Sequence, residues 1–362
     1  MTEPDIMISQ PTLLLVALGC VSLLVLVALW SERHPGWHNR LHPYIYSLTL
    51  AVYCTSWTFF GAVGTAAHHT WAYLPIYLGP MLVFVLGMPI LRKLVKAGAR
   101  QKTTSLADFI GARYGKRQLL AALVTLVAVA GSMPYISLQL HAVSIAWDTL
   151  AGPIATGTMG VYQPDNAFIT ACLLAVFAMV FGTRHIEGRE RNRGMMSALA
   201  LESIIKLLAL IALAVFALMM ATAVDGDSAV SGEPWLQPWL VNPLDMQFVT
   251  MTLLSMLAII CLPRQFHVTV VEFQNERDLH MAHWLFPLYL LAIVAVVLPI
   301  TLVAQQLLGD SGVSPDTYVL KLAMASHSDL LVILVFAGGF SAATGMVIVA
   351  TVTLSIMVSN EI

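Results

Sequence analysis

The chain has 362 residues, 58% of them hydrophobic and only 10% charged, with a formal net charge of −2. Too few polar side chains remain to cover a soluble domain, and the near-neutral balance excludes the basic field that a nucleic-acid partner requires. The composition is that of an all-α polytopic membrane protein. Cys20, Cys54, Cys172 and Cys261 all lie inside apolar segments and form no spaced pairs, which argues against a disulfide framework or a zinc site.

An acidic start (Glu3, Asp5) leads into an apolar run at 12–30, about the length that a roughly 30 Å hydrocarbon core requires. No basic segment precedes it, so it reads as a permanent helix and not as a cleaved leader. Eight further spans are expected at 44–66, 74–91, 118–147, 167–183, 195–222, 247–271, 282–308 and 330–358, giving nine in all. Lys and Arg fall in alternate loops. Arg33 and Arg40 follow the first span, a group from Arg92 to Arg117 follows the third, Arg184, Arg189, Arg191 and Arg193 follow the fifth, and Arg277 follows the seventh. The remaining loops, including the acidic one at 224–245, hold only Lys321. By the positive-inside rule the basic loops face the cytoplasm, the N-terminus lies outside and residue 362 lies inside.

Between the first two spans, His34, His38 and His42 repeat every four residues. Pro35 and Pro43 argue against one continuous helix there, and so against a metal site. His68 and His69 read as exposed. At 103–117, TTSLADFIGARYGKR spaces Leu106, Phe109, Ile110 and Tyr114 as one helical face. This is either a short amphipathic helix at the inner interface, capped by Thr104 or Ser105, or a basic loop that only anchors the topology.

Four spans carry polar residues at lipid depth. In the second, AVYCTSWTFFGAVG (51–64) combines Thr55, Ser56 and Thr58 with Gly61 and Gly64. The segment is either a broken helix that frees carbonyls toward a wet cavity or a face for close helix packing. The sixth holds Glu202 and Lys206, four apart in the order that favours a helical ion pair. Each would cost on the order of 3 kcal/mol unpaired, so a pair is expected, serving as a lock or as a proton or cation relay. In the seventh, CLPRQFHVTVV (261–271), Pro263 removes a donor. The helix either ends there, leaving Arg264, Gln265 and His267 in a loop, or resumes to Val271 and turns Arg264 into a cavity. The ninth, GGFSAATGMVIVATVTLS (338–355), concentrates Gly338, Gly339, Ser341, Thr344, Gly345, Thr351 and Thr353. It is expected to be a second interrupted helix, facing the second span across a hydrated pocket.

In this order, CTSWTFFGAVG, SLADFIGARYG, LPRQFH and GGFSAATG resemble the solute:sodium symporter family. The likeness is strongest to the symporter-like N-terminal input domain of CbrA-like bacterial sensor histidine kinases, and it runs from about residue 13 to 362. It implies a five-plus-five inverted repeat with one extra N-terminal helix. On that mapping 12–30 is the extra helix, 44–222 the first repeat and 247–358 an incomplete second repeat, within one domain spanning 1–362. The last two core helices and any kinase region would lie beyond residue 362, so a fragment of a longer protein is expected.

The resemblance further implies a cation, sodium or proton, as the coupling ion and no other cofactor. The implied cation set is the Ala51 and Cys54 carbonyls with the Ser341 and Thr344 hydroxyls, although the family's adjacent hydroxyl pair is absent. The implied solute set is Trp57, Thr58, Arg264 and Gln265, with Arg264-Gln265 standing where the family carries Asn-Gln. A guanidinium there would clasp a carboxylate and suit an amino acid. The function expected is cation-coupled transport or sensing of a small organic solute in the bacterial inner membrane, as the input of a kinase that signals to a response regulator. The alternatives are a stand-alone symporter and a non-transporting membrane anchor. No catalytic motif occurs in the 362 residues.

Overall fold

The computed structural model describes residues 8–152, 192–224 and 244–362, together with Cys172 and Trp239. Among the described residues there are helices and turns and no strands. α1 (Gln10–Arg33) starts at Ser9, whose hydroxyl accepts the Thr12 amide, with a proline in its first turn where no donor is lost. α2 (Pro35–Thr49), α3 (Ala62–His69) and α4 (Leu74–Val85) follow, then α5 (Met88–Gln101), α6 (Leu106–Arg113) and α7 (Gln118–Ala151). Beyond come α8 (Arg193–Val224), α9 (Met246–Cys261), the single turn α10 (Pro263–Phe266), α11 (Glu276–Leu308), α12 (Tyr318–Ala325) and α13 (Asp329–Glu361).

Five of these, α1, α7, α8, α11 and α13, are each long and apolar enough to cross a bilayer. Two bent pairs raise the count to seven among the described residues. The expected fifth span, 167–183, and Arg184, Arg189 and Arg191 lie outside the described residues. The expected third span does not stand alone. α4 stops at Val85, and after Leu86 and Gly87 the chain restarts as α5.

α13 is the centre of the bundle, packed on α8, α7 and α1, and its apolar stretch is 89% buried. It is wound without interruption from Asp329 to Glu361, which corrects the expectation of a broken ninth span. Its small residues serve close packing instead. A Cβ at Gly338 would strike Phe59 and Ala209, one at Gly339 would strike Phe60, and one at Gly345 would strike the Glu202 carboxylate. The outer helices expose leucines such as Leu15, Leu26 and Leu119, which form the lipid-facing surface.

The second span begins at Pro35 and not at residue 44. Pro35 occupies the first turn, where its missing donor is harmless, and α2 continues through Pro43. The helical repeat then turns two histidines inward to partners on other helices. His38 Nδ1 lies 3.2 Å from Ser31 Oγ and 3.1 Å from Ser197 Oγ, and His42 Nδ1 lies 3.0 Å from Asp278 Oδ1. Among the described residues, no group of three His, Cys, Asp or Glu is placed to hold a metal ion.

Of the two readings of 103–117, the helix is what forms. The Asp108 amide donates to Ser105 Oγ (3.0 Å) and the Thr104 amide to Asp108 Oδ2 (3.0 Å), a reciprocal N-terminal cap. α6 packs on α7 through buried Ala107 and Gly111, while Tyr114 stays exposed.

α4 and α9 pack tightly beside Gly79, where Ser255 Oγ donates to Pro75 O (2.6 Å). A Cβ at Gly79 would meet Ser255 Oγ and the backbone of Met256, whereas one at Gly19 on α1 meets nothing within 4 Å. Gly79→Ala is therefore expected to destabilise the bundle by about 1–3 kcal/mol, the usual cost of overpacking. Melting in detergent should show a clear drop for Gly79→Ala and none for Gly19→Ala.

Candidate functional site

The first bent pair is built from the TSWTFFG stretch. After α2 the chain tightens into a 3₁₀ turn at Leu50–Tyr53, and Cys54 then swings to an extended conformation (φ −80°, ψ 97°). Winding resumes as a wide π turn at Trp57–Gly61, and the two limbs meet at 69°. The restart is held by side chains. Thr55 Oγ1 accepts the Trp57 amide (3.3 Å), and the Ser56 amide and hydroxyl both donate to Gln139 Oε1 of α7, at 3.1 and 2.7 Å. Gln139 is fully buried.

The second bent pair repeats the form. α9 ends at Cys261, Leu262 is extended (ψ 128°), and Pro263 restarts the chain in the first-turn position that needs no donor. A π turn at His267–Val271 follows, and the bend is 56°. The second alternative for this span, a break followed by resumption to Val271, is the one that forms.

A cavity of about 400 Å³ lies between the breaks. Tyr53, Thr55, Trp57 and Thr58 line it from the first, Tyr135 from α7, and Arg264 from the second. The Arg264 guanidinium stands 4.5 Å from the centre of the Tyr135 ring, a cation–π contact. Arg264 is buried, no carboxylate among the described residues pairs with it, and its Nε has no partner there. Gln265 is also buried, with both amide atoms unpartnered among the described residues, and it does not line the cavity. Trp57 borders a second depression of about 650 Å³ as well, lined by His68, His69, Trp71 and Asp245.

The other sequence-derived residues meet behind the first break. Lys206 Nζ donates to Ala51 O (3.0 Å), Cys54 O (2.7 Å) and Glu202 Oε1 (2.9 Å), which uses all three of its protons. Ala51 O also accepts the Cys54 amide at 2.9 Å. Glu202 Oε2 has no partner among the described residues and lies against Gly345 of α13. Ser341 Oγ donates to Gly338 O (3.0 Å) and Thr344 Oγ1 to Phe340 O (2.7 Å), so both hydroxyls are turned back on their own helix. The structure thus brings Ala51, Cys54, Glu202 and Lys206 together, and leaves Ser341 and Thr344 without a bond to that group.

Tyr53, Tyr135 and Gln139 were not singled out from the sequence. Gln139 carried the clearest available signal, an amide deep within an apolar span, and Tyr135 directly follows the span's only proline.

A solved structure of a sodium-coupled sialic acid symporter, in a substrate-bound outward-open state, is similar to this chain with a TM-score of 0.68 at 12% identity. The match covers 97% of this chain and 74% of that one. The chain accordingly has a symporter-type membrane fold. No protein family and no curated protein matches the sequence.

Breaking a buried ion pair from one side costs about 3–5 kcal/mol, because a charge is left uncompensated. Glu202→Ala is expected to melt lower in detergent than the double variant Glu202→Ala/Lys206→Ala, which leaves only two carbonyl lone pairs bare. Equal melting of the two variants would show that the pair does not hold.

Proposed function

We propose that the chain is a symporter-like domain that binds a small organic solute through its carboxylate, an amino acid being the simplest, and moves it across the bilayer coupled to a cation. The observation that carries this reading is Arg264. A guanidinium at lipid depth is costly unless paired, and this one faces a cavity between two broken helices with no carboxylate beside it among the described residues. A solute carboxylate would supply the missing partner through two parallel hydrogen bonds. The cavity's size suits such a molecule, since ligand pockets run from about 300 to 1,000 Å³. Trp57 and Thr58 supply an apolar wall and a hydroxyl, while Gln265 is buried outside the cavity lining and takes no part in this arrangement.

The matching form of the two breaks supports a first repeat over 44–222 and a second begun at 247–358, with 12–30 as the extra helix. Alternating access would rock one part of the bundle against the other around the cavity. The charge pattern supports an inner-membrane orientation with residue 362 in the cytoplasm. There a kinase region joined beyond it would read the solute-bound state and signal to a response regulator. α13 supports such a route, because its last turn reaches the segment that leads into α6, with Asn360 Nδ2 donating to Thr104 Oγ1 (3.3 Å). A stand-alone symporter would use the same site without the kinase. A non-transporting anchor would leave the buried guanidinium unexplained.

Uptake of radiolabelled amino acids, with sialic acid in the same panel, into proteoliposomes holding the full chain tests the reading. A hydrogen bond to a charged group contributes about 1.5–3 kcal/mol, so Arg264→Ala should weaken apparent affinity at least about tenfold. Thr58→Ala should weaken it by a smaller factor. Uptake of every compound that is unchanged in both variants would remove the solute site from this cavity.

A further inference from the structure

Two main-chain oxygens turned toward one point beside an opened helix make a donor set for a monovalent cation. Here that point is held by a side chain of the same protein. The Lys206 ammonium lies 3.0 Å from Ala51 O and 2.7 Å from Cys54 O, and its third proton goes to Glu202. We propose that Lys206 is a tethered cation, which takes the place of a sodium ion at Ala51 and Cys54 and makes the joint of the first broken helix independent of sodium. The inference rests on the symporter-type reading of the fold but not on the identity of the solute.

Three features make this a built position. Lys206 is carried by α8, which is fixed against α2 directly before the break by Ser203 Oγ donating to Leu48 O (2.9 Å) and Thr49 Oγ1 donating to Met196 O (2.9 Å). Tyr289 of α11 locks the same turn from the far side through its hydroxyl to Ser203 O (2.9 Å). Glu202, one turn earlier on α8, balances the charge, and Gly345 leaves room for its carboxylate where any Cβ would collide. A sodium ion on the same two carbonyls would stand at ion-pair distance from a like charge, in surroundings of low polarity. The α13 hydroxyls of Ser341 and Thr344 bond to their own backbone and offer no competing arrangement.

The test is saturable binding of radioactive sodium to the purified full chain, with melting followed in sodium chloride and in choline chloride. Wild type should bind no sodium saturably and should melt alike in both salts. Lys206→Ala leaves two carbonyls and the Glu202 carboxylate facing the space of the lost ammonium, so it should gain saturable sodium binding and melt higher in sodium chloride. Saturable sodium binding by wild type would overturn the proposal, and this measurement holds even if Lys206→Ala fails to fold. A folded Lys206→Ala that gains no sodium binding would overturn it equally. Amino-acid uptake separates this inference from the transport reading. Uptake that requires sodium in wild type keeps transport and rejects the tethered cation. Absence of uptake in every salt counts against transport and leaves the sodium-binding result to stand by itself.

Discussion

A peptide group stripped of its helical partner costs several kcal/mol in hydrocarbon, so a membrane helix opens only where another group satisfies the freed atoms. At the first break that group is Lys206, whose ammonium holds the carbonyls of Ala51 and Cys54, while Gln139 takes the amide and hydroxyl of Ser56. The two clamps come from different helices. α8 fixes the end of the first limb and α7 fixes the start of the second, so the bend is set by tertiary contacts and not by local propensity.

The cavity depends on the same arrangement. Gln139 and Tyr135 lie one turn apart on α7, and their own contact (Gln139 Nε2 to Tyr135 O, 3.3 Å) fixes their relative placement. Gln139 supports the break while Tyr135 carries Arg264 on its ring and approaches Thr55 Oγ1 at 3.4 Å. A group that pulls on Arg264 therefore acts on residues in direct contact with the first break. Pro263 makes the second break in a different way. It needs no clamp on its own amide, because it has no donor to satisfy.

Much of this was legible in the sequence, for identifiable reasons. Lipid-length apolar runs mark α1, α7, α8, α11 and α13 because bilayer thickness sets their length. Pro263 announces a discontinuity through its chemistry, but whether the chain resumes as helix depends on neighbours that no local pattern encodes. The Glu202 and Lys206 pairing follows from helical spacing alone. The ammonium's other two partners lie 155 and 152 residues away, beyond the reach of any periodicity. The small residues of α13 suggested a break and proved to be packing. Gly and Thr serve either purpose, and the deciding fact is the bulk of Phe59, Phe60 and the Glu202 carboxylate against them. The continuity of the helix through His38 and His42 was missed for a related reason. Pro43 does weaken α2, but Asp278 and Ser197 hold the inward face in place.

The central claim is that an internal ammonium, and not a bound ion, closes the gap between Ala51 and Cys54. Electron cryo-microscopy of the chain in nanodiscs, prepared in sodium chloride at a resolution that shows side chains, tests it most directly. The account predicts density running unbroken from the α8 backbone at residue 206 to the two carbonyls. An isolated peak coordinated by those carbonyls, with the Lys206 side chain turned elsewhere, would contradict it.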